Sequence, residues 1–87
     1  PAALRAQRVQ EKAARVGFDW SDAAGPLDKM VEEIAEARER LDAGDKQGVA
    51  SEMGDLAFAL VNFARKLDVV LEDGLRETTA RFERRFR

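Results

Sequence analysis

The apolar side chains of this chain repeat at helical spacing, and that periodicity constrains its fold more than any other feature. Leu27, Met30, Val31, Ile34 and Leu41 follow one another at steps of three, four and seven residues. Such steps place apolar side chains on one face of a helix. The usual strand signals are absent, since the chain has no Tyr, few β-branched residues and no hairpin dipeptide between alternating runs. The sequence therefore predicts an all-α fold.

Turn-forming residues divide the helical pattern into segments. Gly17 and Gly44 are natural helix stops, Pro26 suits the first turn of a helix, and Asp45 is a good N-cap. These positions predict a four-helix domain with helices at about 2–16, 26–43, 46–67 and 71–85.

The chain is long enough for one small domain, which we assign to residues 1–87. A chain of this length buries only about 60–65% of its unfolded surface, so its own core is thin. The predicted third helix is apolar almost all round at residues 56–61. Both observations favour association with a second copy, and the absence of an initial Met is compatible with a domain excised from a longer chain.

Composition limits the chemistry that the domain can perform. With no Cys and no His, it has neither thiolate nor imidazole, so catalysis must use carboxylates, Lys, Arg or hydroxyls. A bound metal must then be a hard cation held by oxygen, such as Mg²⁺ or Mn²⁺. The net charge of −2 gives no electrostatic footprint for nucleic acid. No apolar run approaches the ~20 residues that span a bilayer, and no signal peptide opens the chain, so a cytoplasmic location is expected.

Two groups of carboxylates lie on neighbouring predicted helices. Glu32, Glu33 and Glu36 form an E-E-x-x-E pattern, and Glu52 and Asp55 form an E-x-x-D pattern. Residues three and four apart are neighbours on a helix surface. The turn between the two helices is short, so the helices should be antiparallel, with both groups at a similar height above the turn.

The residues alone leave two interpretations of these groups open. Glu32 and Glu36 point away from the apolar stripe, as solvated surface glutamates commonly do. Glu52 and Asp55 share a narrow polar stripe with Asn62 on a helix that is otherwise mostly apolar, and that stripe faces either solvent or a polar site. A divalent cation would remove the repulsion between facing acidic groups and would use their oxygens as ligands.

The acidic pattern and its flanking segments together resemble one known family. The segments are residues 10–20 (QEKAARVGFDW), 54–62 (GDLAFALVN) and 81–86 (RFERRF). With the carboxylate pattern they are similar to the MazG-type all-α nucleoside triphosphate pyrophosphohydrolases, most of all to the C-terminal MazG domain of two-domain members. The resemblance covers nearly the whole chain.

The resemblance implies a Mg²⁺-dependent enzyme, with Mn²⁺ as a substitute metal. It would hydrolyse a nucleoside triphosphate to the monophosphate and pyrophosphate. It also implies a homodimer whose active sites lie beside the dimer interface, and assembly beyond the dimer stays open. Alternatives are a narrow dUTP/dCTP-type or phosphoribosyl-ATP pyrophosphohydrolase, and a non-catalytic helical copy kept for dimerisation and assembly.

The resemblance also implies a role for each site residue. The implied metal ligands are Glu33, Glu36, Glu52 and Asp55. The implied catalytic carboxylates are Glu32 and Glu33, with Glu32 either a ligand of a second metal or the base that orients water.

The implied substrate-binding residues are Lys12, Trp20, Asn62, Thr79, Arg81 and Arg84. Of these, Lys12 and the two arginines would bind phosphate, and Trp20 would lie against the base. Trp20 fits a core or interface anchor equally well, and the arginines fit a solvated helix face. The chain departs from the family pattern at Ser51 (usually Glu), Thr79 (usually Asn) and Arg81 (usually Lys).

Overall fold

Four helices account for nearly all of the chain in the computed structural model, which describes residues 1–86. They are α1 (Ala2–Arg15), α2 (Ala24–Asp42), α3 (Lys46–Lys66) and α4 (Leu71–Arg85). Residues 1–86 contain no strand. The all-α, four-helix prediction is confirmed, with boundaries within two residues of those expected.

The predicted stops and caps around the first two turns are confirmed. Gly17 (φ +87°) and Gly44 (φ +72°) adopt the left-handed conformation that ends a helix. The residue after each glycine donates its N–H back into the helix, from Phe18 to the Ala13 carbonyl and from Asp45 to the Arg40 carbonyl. The Asp45 carboxylate also accepts the Gly48 N–H at 2.9 Å and so caps α3.

The largest difference from the predicted boundaries is at the start of α2. Helix α2 begins at Ala24 rather than residue 26, because the Asp22 carboxylate accepts the Ala24 N–H at 2.9 Å. After α3, Asp68 adopts a left-handed conformation (φ +57°). Asp tolerates this conformation better than most residues with a Cβ. Helix α4 follows Val70 without a side-chain cap.

Helices α2 and α3 form the tightest unit of the fold, an antiparallel hairpin joined by the short turn at Gly44. Helices α1 and α4 both pack on α3 and touch each other, whereas α2 and α4 are not in contact within residues 1–86. The Glu72 carboxylate in the first turn of α4 accepts the Leu4 N–H at 3.2 Å. This bond ties α4 to the start of α1.

The buried apolar core is small, and the apolar stripe of α2 does not contribute to it. Ala59, Val61 and Ala64 are the buried apolar residues of α3. Val31 and Ile34 on α2 are 63% and 54% exposed, so this part of the stripe lies on the surface of the described chain. Helix α2 instead turns its polar face toward α3. The Cα radius of gyration, 14.7 Å, exceeds the ~12 Å of a compact domain of this length.

Candidate metal centre

The α2–α3 hairpin brings three carboxylates from both acidic patterns together. Glu33, Glu36 and Glu52 each offer a carboxylate oxygen, and these oxygens lie within 4.8 Å of one another. The short turn produces this juxtaposition, since the E-E-x-x-E and E-x-x-D segments lie at equal distances from Gly44. The predicted matching of the two patterns across the hairpin is thereby observed. We call these three residues the carboxylate cluster.

Two members of the cluster are buried, which is unusual for glutamate. Glu33 is 3% exposed and Glu52 is 5% exposed, while Glu36 is half-buried. A solvated surface position was one interpretation of Glu32 and Glu36. Glu32 is exposed, whereas Glu36 is half-buried in the cluster.

Each buried glutamate has one oxygen paired with a basic side chain. Lys29 Nζ lies 3.2 Å from Glu33 Oε1 and 3.5 Å from Glu32 Oε1. Arg40 Nε lies 3.3 Å from Glu52 Oε1. The pKa of Lys29 is raised above its usual value, chiefly by its hydrogen bond to Glu33. The pKa of Arg40 is raised chiefly by its hydrogen bond to Asp45, with a smaller contribution from Glu52.

The second oxygen of each buried glutamate has no hydrogen-bond partner. Glu33 Oε2 and Glu52 Oε2 are both buried and unpaired. Leaving a buried charged oxygen unpaired is costly, and most such atoms in proteins have a partner. A hard divalent cation is a ligand that satisfies several carboxylate oxygens at once. The residues present therefore fit a Mg²⁺ or Mn²⁺ ion.

Asp55 lies one helical turn beyond Glu52, outside the three-residue cluster. It is exposed and lines a cleft of about 860 Å³ that Glu33 and Lys29 also border. Its inclusion among the metal ligands stays a prediction.

The cleft combines aromatic and polar walls. Phe18, Trp20 and Phe58 supply aromatic surface, and Asn62 and Arg65 lie on the α3 side. The Trp20 ring rests directly on the backbone of α2 at Gly25, where an added Cβ would clash with it. Of the predicted substrate-binding residues, Trp20 and Asn62 thus lie at the cleft.

The loop that carries Phe18 and Trp20 is anchored to the end of α3 through Asp19. The Asp19 carboxylate pairs with the Arg65 guanidinium and with Lys66 Nζ, the latter at 3.1 Å. The hydrogen bond from Arg65 is the main reason that the pKa of Asp19 is held well below its usual range. Arg65 also donates to Asn62 Oδ1 at 2.9 Å. This anchor therefore fixes one wall of the cleft relative to another.

Sequence reasoning missed Gln10, Asp19 and Arg65 as residues that shape the cleft. Gln10 is 5% exposed, its Nε2 donates to the Phe58 carbonyl at 3.0 Å, and its Oε1 is unpaired. These contacts join residues 46 to 48 positions apart, and no local pattern reports them. The sequence offers no usable signal for them, because the burial of an amide such as Gln10 is decided only by tertiary packing.

The remaining predicted substrate-binding residues do not reach the cleft within one chain. Lys12 is exposed on α1, and Arg84 is exposed on α4. The Thr79 hydroxyl donates to the Leu75 carbonyl at 2.8 Å, and Arg81 lies 3.6 Å from Glu77 on its own helix. None of these four residues lines the cleft, and α4 makes no contact with α2 within residues 1–86.

The fold and site define a class: an all-α domain whose antiparallel helical hairpin encloses a carboxylate cluster beside a partly aromatic cleft. The family model described as "MazG nucleotide pyrophosphohydrolase domain" matches residues 24–87. The chain belongs to this MazG family, as the sequence resemblance indicated.

The curated relatives are longer proteins with matching names. The chain is 45% identical over 89 residues to the "Nucleoside triphosphate pyrophosphohydrolase" of Escherichia coli (strain K12), covering 100% of this chain and 34% of that protein. It is 44% identical over 87 residues to the "Nucleoside triphosphate pyrophosphohydrolase/pyrophosphatase MazG" of Thermotoga maritima, covering 100% of this chain and 33% of that protein. The chain therefore spans about a third of the length of these relatives. No helix within residues 1–86 combines the length and the apolarity that crossing a membrane requires.

Proposed function

We propose that residues 1–87 form one domain that hydrolyses nucleoside triphosphates to the monophosphate and pyrophosphate in the presence of Mg²⁺. One observation carries the proposal: the carboxylate cluster holds two buried, unpaired oxygens beside a cleft of about 860 Å³. The names of the two relatives support the substrate class.

We assign the carboxylates different roles according to their exposure. Glu33, Glu36 and Glu52 would hold the metal, and Asp55 would complete the ligand set from the cleft side. Bound Mg²⁺ would neutralise phosphate oxygens and lower the pKa of a coordinated water. Mn²⁺ would substitute, because it accepts the same oxygen ligands.

Glu32 is the carboxylate that we expect to act on the attacking water. It is the exposed neighbour of Glu33, with a side chain 57% exposed beside Lys29. An exposed carboxylate can accept a proton and release it to solvent, which a buried ligand cannot do as readily. We therefore assign water orientation and proton acceptance to Glu32.

The cleft walls suit the nucleoside part of the substrate. The Trp20 ring, supported by Gly25, offers one face for stacking against a base. Phe58 on α3 adds a second aromatic surface to the cleft. Asn62, oriented by Arg65, supplies an amide for polar atoms of the substrate. These walls recognise the flat, apolar faces that all bases share, which favours broad nucleotide selectivity.

A second copy of the chain would complete the site. Val31, Ile34, Phe82 and Phe86 are exposed apolar residues on α2 and α4, and helices with such faces normally bury them. In a homodimer, Thr79, Arg81 and Arg84 of one chain would approach the cleft of its partner and bind phosphate there. Lys12, exposed on α1, would bind phosphate from its own chain.

A nucleotide hydrolysis panel tests the proposal directly. Purified protein is incubated with standard and modified (d)NTPs and with phosphoribosyl-ATP, in the presence of Mg²⁺, Mn²⁺ or EDTA, and monophosphate and pyrophosphate are measured separately. Metal-dependent release of both products in equal amounts is expected, and the ranking of substrates identifies a narrow dUTP-, dCTP- or phosphoribosyl-ATP-type preference if one exists. Release of inorganic phosphate would contradict the reaction type. No turnover by a folded dimer would favour the non-catalytic assembly module.

A further inference from the structure

Two basic side chains form ion pairs with the carboxylate cluster, and the proposed reaction assigns them no role. Lys29 binds one oxygen of Glu33, and Arg40 binds one oxygen of Glu52. Both glutamates are buried, so their charges are screened by little water and depend on these partners. In each case the second oxygen remains unpaired.

Arg40 is held in place by a local arrangement at the start of α3. Its guanidinium spans Glu52 and the α3 cap residue, with NH1 3.3 Å from Asp45 Oδ2. Its side chain passes over Gly48, where an added Cβ would approach Arg40 Cδ to 2.5 Å. The absence of a side chain at Gly48 thus gives Arg40 its path to the cluster.

We propose that Lys29 and Arg40 are intramolecular counter-ions of the carboxylate cluster, which hold Glu33 and Glu52 in place without metal and compete with a divalent cation for their charge. This inference rests on the metal site of the proposed function. Carboxylates whose oxygens lie within 4.8 Å of one another repel when they carry charge. Within the cluster, Lys29 contacts one oxygen of Glu33 and Arg40 contacts one oxygen of Glu52, and the other oxygen of each glutamate stays available. Both cations also pair with a neighbouring carboxylate, Lys29 with Glu32 and Arg40 with Asp45.

The proposal has opposite consequences for the empty and the metal-bound site. Without metal, removal of Arg40 leaves a buried, uncompensated charge on Glu52, which is strongly destabilising. With metal, the ion itself supplies that charge, and the repulsion between Arg40 and the ion is gone. Removal of Arg40 should therefore weaken the metal-free fold and tighten metal binding.

The first test is a double-mutant cycle in EDTA, read as the thermal unfolding midpoint. Arg40→Gln should lower Tm by about 5 °C. Glu52→Gln in the Arg40→Gln background should restore most of that loss, because the charge that needs compensation is gone. Loss without restoration would overturn the counter-ion role.

Two controls separate the cluster from the helix cap and from surface ion pairs. Arg38→Gln removes a comparable pair on the same helix, to Asp42, in which both side chains are well exposed, and should shift Tm by about 1 °C or less. Asp45→Asn keeps a good N-cap but removes the other carboxylate that Arg40 contacts. If Asp45→Asn lowered Tm as much as Arg40→Gln, the effect of Arg40 would come from its contact with the cap residue Asp45 rather than from the cluster.

The second test is a calorimetric titration with Mg²⁺ and with Mn²⁺. Arg40→Gln should bind the ions about five-fold more tightly than the unsubstituted chain, Lys29→Gln should change in the same direction, and Arg38→Gln should not change. A ten-fold or greater loss of affinity in Arg40→Gln would overturn the competition and show instead that Arg40 orients Glu52 for the metal.

The two tests keep this inference apart from the proposed function. If the unsubstituted chain binds neither ion, the proposed metal site and the competition both fail, and the EDTA cycle alone decides the counter-ion role. If the ions bind but affinity is equal in Arg40→Gln, the competition fails and the proposed function stands.

Discussion

The α2–α3 hairpin and helix α4 differ in what they bury and what they expose. In the hairpin, two glutamates are buried almost completely, whereas α4 has no buried residue and its Phe82 is 63% exposed. Globular domains normally keep charged side chains outside and large apolar side chains inside. The contrast supports the proposals that the hairpin carries the chemistry and that α4 meets a second copy.

Ion pairs within the hairpin compensate its buried charge, since Lys29 and Arg40 each contact one oxygen of a buried glutamate. Helix α4 packs only on α1 and α3, so most of its surface has no neighbour in the described chain. A second copy would cover apolar surface on α4 and on the exposed stripe of α2.

The largest expected effect comes from the cluster itself. Glu36→Gln should reduce turnover by about two orders of magnitude or more, because a metal ligand is lost. The measurement is kcat/KM for the best nucleotide at saturating Mg²⁺. Glu39→Gln, an exposed change on the same helix, should leave turnover unchanged, and equal losses in both variants would contradict a site at the cluster.

The next effect concerns the exposed apolar stripe of α2. Ile34→Lys should raise the dissociation constant of a dimer by about 100-fold, since a symmetric interface contains the change twice. Concentration-dependent sedimentation measures this constant.

Glu39→Lys is the matched control, because it adds a lysine to the same helix at a residue outside the stripe. It should leave the assembly intact. If Ile34→Lys also left the dimer intact, the apolar stripe of α2 would not be the dimer interface.

A smaller effect concerns the loop that carries Asp19, whose contribution to the free energy of unfolding should depend on pH. The lowered pKa of Asp19 means that its ion pairs stabilise the fold above the ordinary carboxyl value of 3.8 and are lost as pH falls below it. Asp19→Asn should cost about 1 kcal/mol at pH 7, and the difference from the unsubstituted chain should shrink toward pH 3. Denaturant unfolding at several pH values measures it.

Asp22→Asn removes the same charge from the same loop without removing an ion pair, and Asn still caps the Ala24 N–H. It should be nearly neutral at every pH. If Asp19→Asn lowered the free energy of unfolding equally at every pH, the anchor would depend on packing and hydrogen bonding rather than on the charge of Asp19.

The smallest effect compares the same substitution in the two regions. Gly74→Ala in α4, where an added Cβ meets no atom within 4 Å, should stabilise the chain by about 0.5–1 kcal/mol through helix propensity. Gly44→Ala in the hairpin turn should destabilise it by about 1 kcal/mol, because its φ is +72°. The sign of each change in chemical denaturation checks the comparison, and equal signs would contradict it.

Local features were predictable from sequence because they depend on few residues. Gly17, Gly44 and Asp45 act within one or two turns, so the helix ends and the α3 cap were found where expected. The left-handed conformation of Asp68 had no sequence signal, because it accompanies backbone hydrogen bonds at the end of α3. The carboxylate spacing and the short turn together also predicted the meeting of both acidic patterns.

Four helices, a short hairpin and two acidic patterns at matching heights follow from the amino-acid sequence alone, because helix periodicity and turn chemistry are local. Packing between the helices selects which face of α2 meets α3. That choice buried Glu33 and exposed Ile34, and it placed Lys29 and Arg40 on the cluster. It also joined Asp19 to Arg65. These outcomes depend on contacts between distant segments, where the rotation of one helix about its axis decides which side chains are paired and which are left to a partner.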